Sequence, residues 1–118
     1  MSNQAKVISF RVDTTAAGTF FGWKCPDDAF GGGVTIHDVT FLGAGTVTGA
    51  LFTYSDLGTP AASGTIVASA AGTFTAGVPY SHTVADGWVD GGEWVCWAHS
   101  AGTALAISQI VFQYSEGL

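Results

Sequence analysis

Apolar and polar positions alternate along most of this chain, and the places where the alternation breaks are as informative as the places where it holds. Residues 6–12 put Ile8, Phe10 and Val12 on one side and Val7, Ser9 and Arg11 on the other, the two-residue period of a half-buried strand. Residues 19–25 are aromatic-rich, with Phe20, Phe21 and Trp23, and predict a second strand. Pro26-Asp27-Asp28 ends it, because proline cannot donate to a ladder. Gly31-Gly32-Gly33 leads into a long strand over 33–42. There Val34 and Ile36 share one parity and Val39 and Phe41 the other. A one-residue slip turns every side chain over, so a bulge is predicted near His37-Asp38. Gly43-Ala44-Gly45 predicts a three-residue hairpin turn. Residues 46–54 then pair back antiparallel, with Val47 and Leu51 on one face and Phe52 and Tyr54 on the other.

A loop is expected over 55–64, a short strand over 65–69 and a weaker stretch over 70–75. Gly77-Val78-Pro79 is a turn, and residues 80–84 form a strand with Tyr80, His82 and Val84 on one face. Residues 85–92 read as a Gly/Asp loop holding Trp88 and Val89. The chain is organised around its C-terminal unit: a strand over 93–99, a turn at Ser100-Ala101-Gly102, and a strand over 103–114. Residues 88–114 hold three of the four tryptophans. Leu105 and Ile107 have one parity and Ile110, Phe112 and Tyr114 the other, which predicts a bulge near Ser108-Gln109. Such a unit needs a facing sheet. With about eight strands and no helix-period segment, the pattern predicts an all-β chain. It reads as one antiparallel β-sandwich domain over 1–118, jelly-roll-like, with a short N-terminal arm over about 1–5.

Composition sharpens this picture. The chain has 118 residues, 47% of them apolar and only 10% charged, against ~25% charged in an average globular chain. So little surface charge is easier to tolerate where neighbours cover the surface. The net charge is −6, and the only cations are Lys6, Arg11 and Lys24. Three cations cannot neutralise a phosphate backbone, so no nucleic-acid partner is expected. An anionic membrane is disfavoured for the same reason. Eight of the nine acids come after Lys24. The early cations are either an arm that docks on an acidic partner or a chance grouping. The first residues carry no apolar signal core and no apolar run reaches membrane-spanning length, which points to synthesis in the cytoplasm. Two cysteines, Cys25 and Cys96, then read as free and buried more readily than as bridged.

Candidate chemistry is sparse. The run from Gly43 to Gly49 is spaced wrongly for a phosphate loop, enters a strand and lacks a lysine after it. Asp86, Asp90 and Glu93 share a Gly-rich loop, the setting for Ca²⁺, but they read as turn carboxylates because further oxygen ligands are missing. His37, Asp38, His82 and His99 have no metal-ligand spacing with each other or with the cysteines. No nucleophile elbow accompanies His99-Ser100, so neither an enzyme nor a cofactor is expected. The aromatics remain. Trp94 and Trp97 have opposite parity, so one faces the core and the other an outer face. Trp23, Trp88, Trp94, Trp97, Phe112 and Tyr114 are candidates for core or oligomer anchors. An outward tryptophan also suits a glycan.

Several short signatures resemble those of small tailed-phage virion proteins. They are the strand Val34-Thr35-Ile36-His37-Asp38-Val39-Thr40-Phe41, the turn Gly43-Ala44-Gly45-Thr46, the strand start Gly92-Glu93-Trp94-Val95, the turn Gly102-Thr103 and the ending Ile110-Val111-Phe112-Gln113-Tyr114. The similarity covers residues 30–116. It implies a jelly-roll capsid decoration (cement) or head-fibre protein, non-enzymatic, which stabilises the capsid exterior by contacting the major capsid protein, commonly as a homotrimer. Lys6, Arg11 and Lys24 are then the capsid-contact candidates. Cys25 and Cys96 are a departure from the group. The alternative is a glycan- or receptor-binding β-sandwich module of a phage fibre.

Overall fold

The computed structural model describes residues 6–12, 17–54, 62–84, 87–99 and 106–116. The turn expected at 100–102, the strand expected over 103–105, Asp86, and parts of the loops expected after residue 12 and over 55–64 lie outside them. The described strands are β1 (Lys6–Arg11), β2 (Gly18–Lys24), β3 (Gly33–Leu42), β4 (Gly45–Tyr54), β5 (Ala62–Phe74), β6 (Tyr80–Thr83), β7 (Trp88–Asp90), β8 (Trp94–His99) and β9 (Gln109–Glu116). One 3₁₀ turn, Phe30–Gly32, precedes β3. That is nine strands rather than about eight. The additional one, β7, lies in the predicted Gly/Asp loop and pairs with the start of β3.

Two antiparallel sheets pack face to face. One has the order β1-β9-β3-β6, with β7 also on β3; the other has the order β2-β8-β4-β5. With the short β7 set aside, the eight remaining strands have the order of a jelly roll, in which successive strands exchange sheets except at the β4–β5 hairpin. Two expectations are corrected by this order. Residues 43–44 do not close a hairpin, because β3 and β4 belong to different sheets; β4 pairs with β5 and β8 instead. Nor is the C-terminal stretch a strand-turn-strand ribbon. β8 lies in the second sheet, while β9 is central in the first, between β1 and β3. β5 is also longer than predicted, a single 13-residue strand.

Parity breaks are resolved in three ways. In β3 the register on β9 shifts between Ile36 and Asp38, the bulge that the sequence predicts, and Ile36, Val39 and Phe41 are all buried. In β2 the shift falls at Gly22, between Phe21 and Trp23. There it turns Trp23 inward and leaves Phe21 outward, although the two have the same sequence parity. The expected bulge at Ser108-Gln109 is replaced by a bend at 106–107 before β9 begins. Ile107 and Ile110 both reach the core, and the Ser108 amide donates to the Leu42 carbonyl at 2.8 Å.

The space between the sheets is filled by aromatic rings. Trp97 of β8 is fully buried and meets Phe41 of β3 with ring centroids 5.4 Å apart. Trp23 of β2 meets Phe112 and Tyr114 of β9 at 5.6 and 5.0 Å. Room for the Trp97 indole comes from Gly49 on β4. A Cβ there would sit 2.5 Å from Trp97 Cζ2 and 2.6 Å from the Ala98 carbonyl oxygen. Gly18 and Gly49 flank His99 in the register, yet a Cβ on Gly18 would meet only Phe20, at 3.8 Å. The two glycines therefore predict opposite outcomes. Gly49→Ala should lower the unfolding free energy by about 1–3 kcal/mol through overpacking. Gly18→Ala should be neutral or raise it by about 0.5–1 kcal/mol. Urea denaturation midpoints of the two variants check the contrast.

Candidate functional site

The outer face of a sandwich sheet normally carries polar side chains. The second sheet departs from that rule along β2, β8 and β4. Phe21 and Phe52 flank Cys96 in the register, and Lys24 and Tyr54 flank Trp94. Val95 and Trp97, on either side of Cys96, belong to the core, so Cys96 and Trp94 point the other way. Phe21 packs edge-on against Tyr54 (5.5 Å, 87°) and Trp94 (5.9 Å, 86°), and Phe52 lies 6.3 Å from Tyr54. These four rings are half-buried. Beneath them Cys96 is completely buried although it lies on the outer face. This aromatic face departs from the solvated surface that the outside of a sheet ordinarily presents.

Of the six aromatic anchor candidates, Trp97 and Phe112 are wholly buried, Tyr114 is nearly so, and Trp23 packs against the core. Trp94 is on the outer face. Trp88 is half-buried in β7, where its indole Nε1 donates to Asp90 Oδ1 at 2.7 Å.

The three cations do not form a basic patch. Lys6 and Arg11 stand at opposite ends of β1, about 17 Å of strand apart. Lys6 Nζ donates to Glu116 Oε1 at 2.8 Å, and Glu116 Oε2 accepts from the Phe30 amide at 3.2 Å. The hydrogen bond with Lys6, then the one from Phe30, holds the Glu116 carboxyl below its ordinary range. Lys24 lies 3.8 Å from Asp27. Arg11 has no ion pair among the described residues.

The chemically suggestive groups are separated or internally occupied. Glu93 accepts from the Asp90 amide at 2.9 Å, as a turn carboxylate does. His37 Nε2 is 2.7 Å from Ser115 Oγ. His82 lies against Phe41 and Tyr80. His99 stacks between Phe20 and Trp97, nearly buried, and neither of its ring nitrogens has a partner. Among the described residues no three His, Cys, Asp or Glu side chains are grouped to hold a metal. No helix among them is long and apolar enough to cross a membrane. A groove of about 280 Å³ opens beside the β3–β4 connection, lined by Leu42, Gly43, Ala44, Ala76, Gly77 and Ser108. None of these is titratable, so the groove offers apolar contact and no acid–base group.

Cys25 and Cys96 are free thiols, both buried. Burial, reinforced by the nearby Glu93, Asp90 and Asp27 carboxylates, pushes the Cys25 thiol up to about 11. Burial alone pushes Cys96 up to about 12. No family model, no curated protein and no solved structure matches this chain.

The thiols generate a pH dependence. An unfolded thiol ionises near pH 8.5, while the folded ones keep their protons to about 11 and about 12. Above about pH 9 the unfolded state therefore binds fewer protons, and stability falls as pH rises. Each thiol should contribute a loss approaching 1.4 kcal/mol per pH unit, continuing until the folded group itself ionises. Urea melts between about pH 9 and pH 11 should show this slope, reduced by one thiol's share in Cys96→Ala. His99 makes a second prediction. His99→Phe keeps a ring in the stack and removes two unpartnered nitrogens, so it should raise stability by about 1 kcal/mol, read as a higher urea midpoint.

Proposed function

We propose that this chain is a non-enzymatic structural subunit of a virion, one that decorates and stabilises the outside of a phage capsid by binding the major capsid protein. The observation that carries the reading is the outer face of the second sheet. Phe21, Phe52, Tyr54 and Trp94 lie there partly exposed, on a chain with only three cations and 10% charged residues. Aromatic side chains concentrated on a low-charge surface are the usual anchors of a protein–protein contact. The resemblance of the short signatures to those of small tailed-phage virion proteins, together with the jelly-roll strand order, favours the same reading.

Contact with the capsid is then assigned to this face more than to Lys6 and Lys24, because both of those cations already lie against carboxylates of the same chain. Ring geometry favours a protein partner over a sugar. Phe21 stands nearly perpendicular to Tyr54 and to Trp94, so the three rings do not offer one flat stacking surface. Co-sedimentation with expanded phage capsids stripped of decoration tests the proposal. The chain should pellet with the capsids, and Trp94→Ala should weaken binding by about 30-fold, the effect of removing an aromatic hot spot. Failure to pellet, together with an oligosaccharide-induced change in tryptophan fluorescence that Trp94→Ala abolishes, would replace the capsid role with a glycan-binding one.

A further inference from the structure

The four tryptophans of the chain have different surroundings. Trp97 and Trp23 fill the space between the sheets, and Trp94 belongs to the outer face of the second sheet. Trp88 belongs to neither. Its neighbour Val89 is buried in the core, so Trp88 and Asp90 stand on the outer face of the first sheet. There the indole lies down on Gly33, the first residue of β3. A Cβ at Gly33 would come within 2.7 Å of Trp88 Cζ2 and 3.1 Å of Cη2, and Gly33 is buried beneath the ring. A side chain at that position would lift the ring off the sheet. Indole Nε1 donates to Asp90 Oδ1 at 2.7 Å, which holds the ring at its other edge. One side of the ring therefore rests on backbone, and its exposed part is turned away from the sheet.

Polar groups border this platform. Trp88, Thr35 and Ser115 are directly opposite one another on β7, β3 and β9, a row about 10 Å wide at the spacing of adjacent strands. The register shift after Ile36 re-aims His37, and its Nε2 lies 2.7 Å from Ser115 Oγ. Asp90 holds the indole through Oδ1, and its Oδ2 has no partner among the described residues. The company each outward tryptophan keeps is different. Trp94 sits in a cluster of four rings. Among the described residues Trp88 is a lone ring bordered by hydroxyl, imidazole and carboxylate groups.

We infer that this platform is a binding site for a neutral hexopyranose, one unit of an uncharged oligosaccharide. The chemistry of the site selects the ligand. A pyranose ring has an apolar face of C–H groups and a rim of hydroxyls. The C–H face stacks on an indole, whose ring is large, rigid and apolar. The hydroxyls need both donors and acceptors, which Ser115, His37 and the Asp90 carboxylate supply. A protein partner needs an apolar patch wider than one ring, and that is what the second sheet offers instead. Charge excludes an acidic sugar. The chain carries a net charge of −6, and Lys6, the cation opposite Tyr114 in the register, is already bonded to Glu116. The outer faces of the two sheets point in opposite directions, so a chain held by its aromatic face leaves Trp88 uncovered. The inference does not rest on the capsid reading.

The test is a titration of the purified, isotope-labelled chain with cellotetraose, lactose and sialyllactose, read by amide and indole NMR shifts. Cellotetraose or lactose should shift the Trp88 indole signal and the Gly33, Thr35 and Ser115 amides, saturably, with a Kd of about 1 mM or below. Sialyllactose should bind no more tightly than lactose. Trp88→Ala should weaken binding at least about tenfold, and His37→Ala about fivefold. If Trp88→Ala does not fold, the shift map of the unsubstituted chain decides. No saturable shift with either neutral sugar up to about 20 mM overturns the inference. So does a shift map centred on Trp94, tighter binding of sialyllactose than of lactose, or binding that Trp94→Ala removes and Trp88→Ala does not.

Discussion

The contact between Trp97 and Phe41 across the two layers is the constraint on which the rest of this structure depends. Two sheets pack about 10 Å apart only when side chains from both inner faces fill the gap. Here a large part of that filling is indole. Trp97 fits because β4 offers Gly49 at the crossing point, and it is clamped by Phe41 from the opposite sheet and His99 from its own strand. A second pillar, Trp23 on Phe112 and Tyr114, holds the β2–β9 side. Both bulges serve these pillars. The one after Ile36 keeps Phe41 inside once the parity has changed, and the one at Gly22 brings Trp23 inside.

That dependence explains which features were legible in the sequence. Alternation reports which side chains face inward, because burial itself imposes the two-residue period. It therefore located β1, β3, β4 and β6 and the bulge at His37-Asp38, where two apolar runs of opposite parity collide. It reports nothing about which strand lies alongside. Gly43-Ala44-Gly45 has the chemistry of a reversal, and the chain does reverse there, but the returning strand enters the other sheet. The stretch from Glu93 misled in the same way, since β8 and β9 are neighbours in sequence and members of opposite layers. A jelly-roll order and a hairpin at residues 43–45 are mutually exclusive, because successive strands on either side of that connection must exchange sheets.

The outer aromatic face was harder to read, for a specific reason. Phe21 and Trp23 have the same parity, so simple alternation assigns them to one side. Only a bulge at Gly22 separates them, and no collision of apolar runs announces it. Opposite parity showed that one of Trp94 and Trp97 faces outward but not which, and the neighbours of Trp94, Phe21 and Tyr54, come from strands brought beside β8 by the tertiary fold. The ion pair of Lys6 was hidden for a related reason. The partner of Lys6 is Glu116, 110 positions away, and local charge counting cannot see it.

The aromatic face and the β5 edge differ in what they recognise. A face recognises through side chains, so its selectivity depends on the shape and spacing of Phe21, Phe52, Tyr54 and Trp94. An edge recognises through backbone amides and carbonyls, which every chain shares, so it gains selectivity only from what its neighbours exclude. In β5 the register on β4 shifts three times, each time with the surplus residue in β5, and such bulges interrupt the row of open groups that an edge presents. The side-chain face remains available to a partner of different sequence. On the proposed reading the aromatic face attaches the chain to a surface that it does not resemble. Low charge is then a condition of that contact, since it places a large uncharged surface where another molecule covers it.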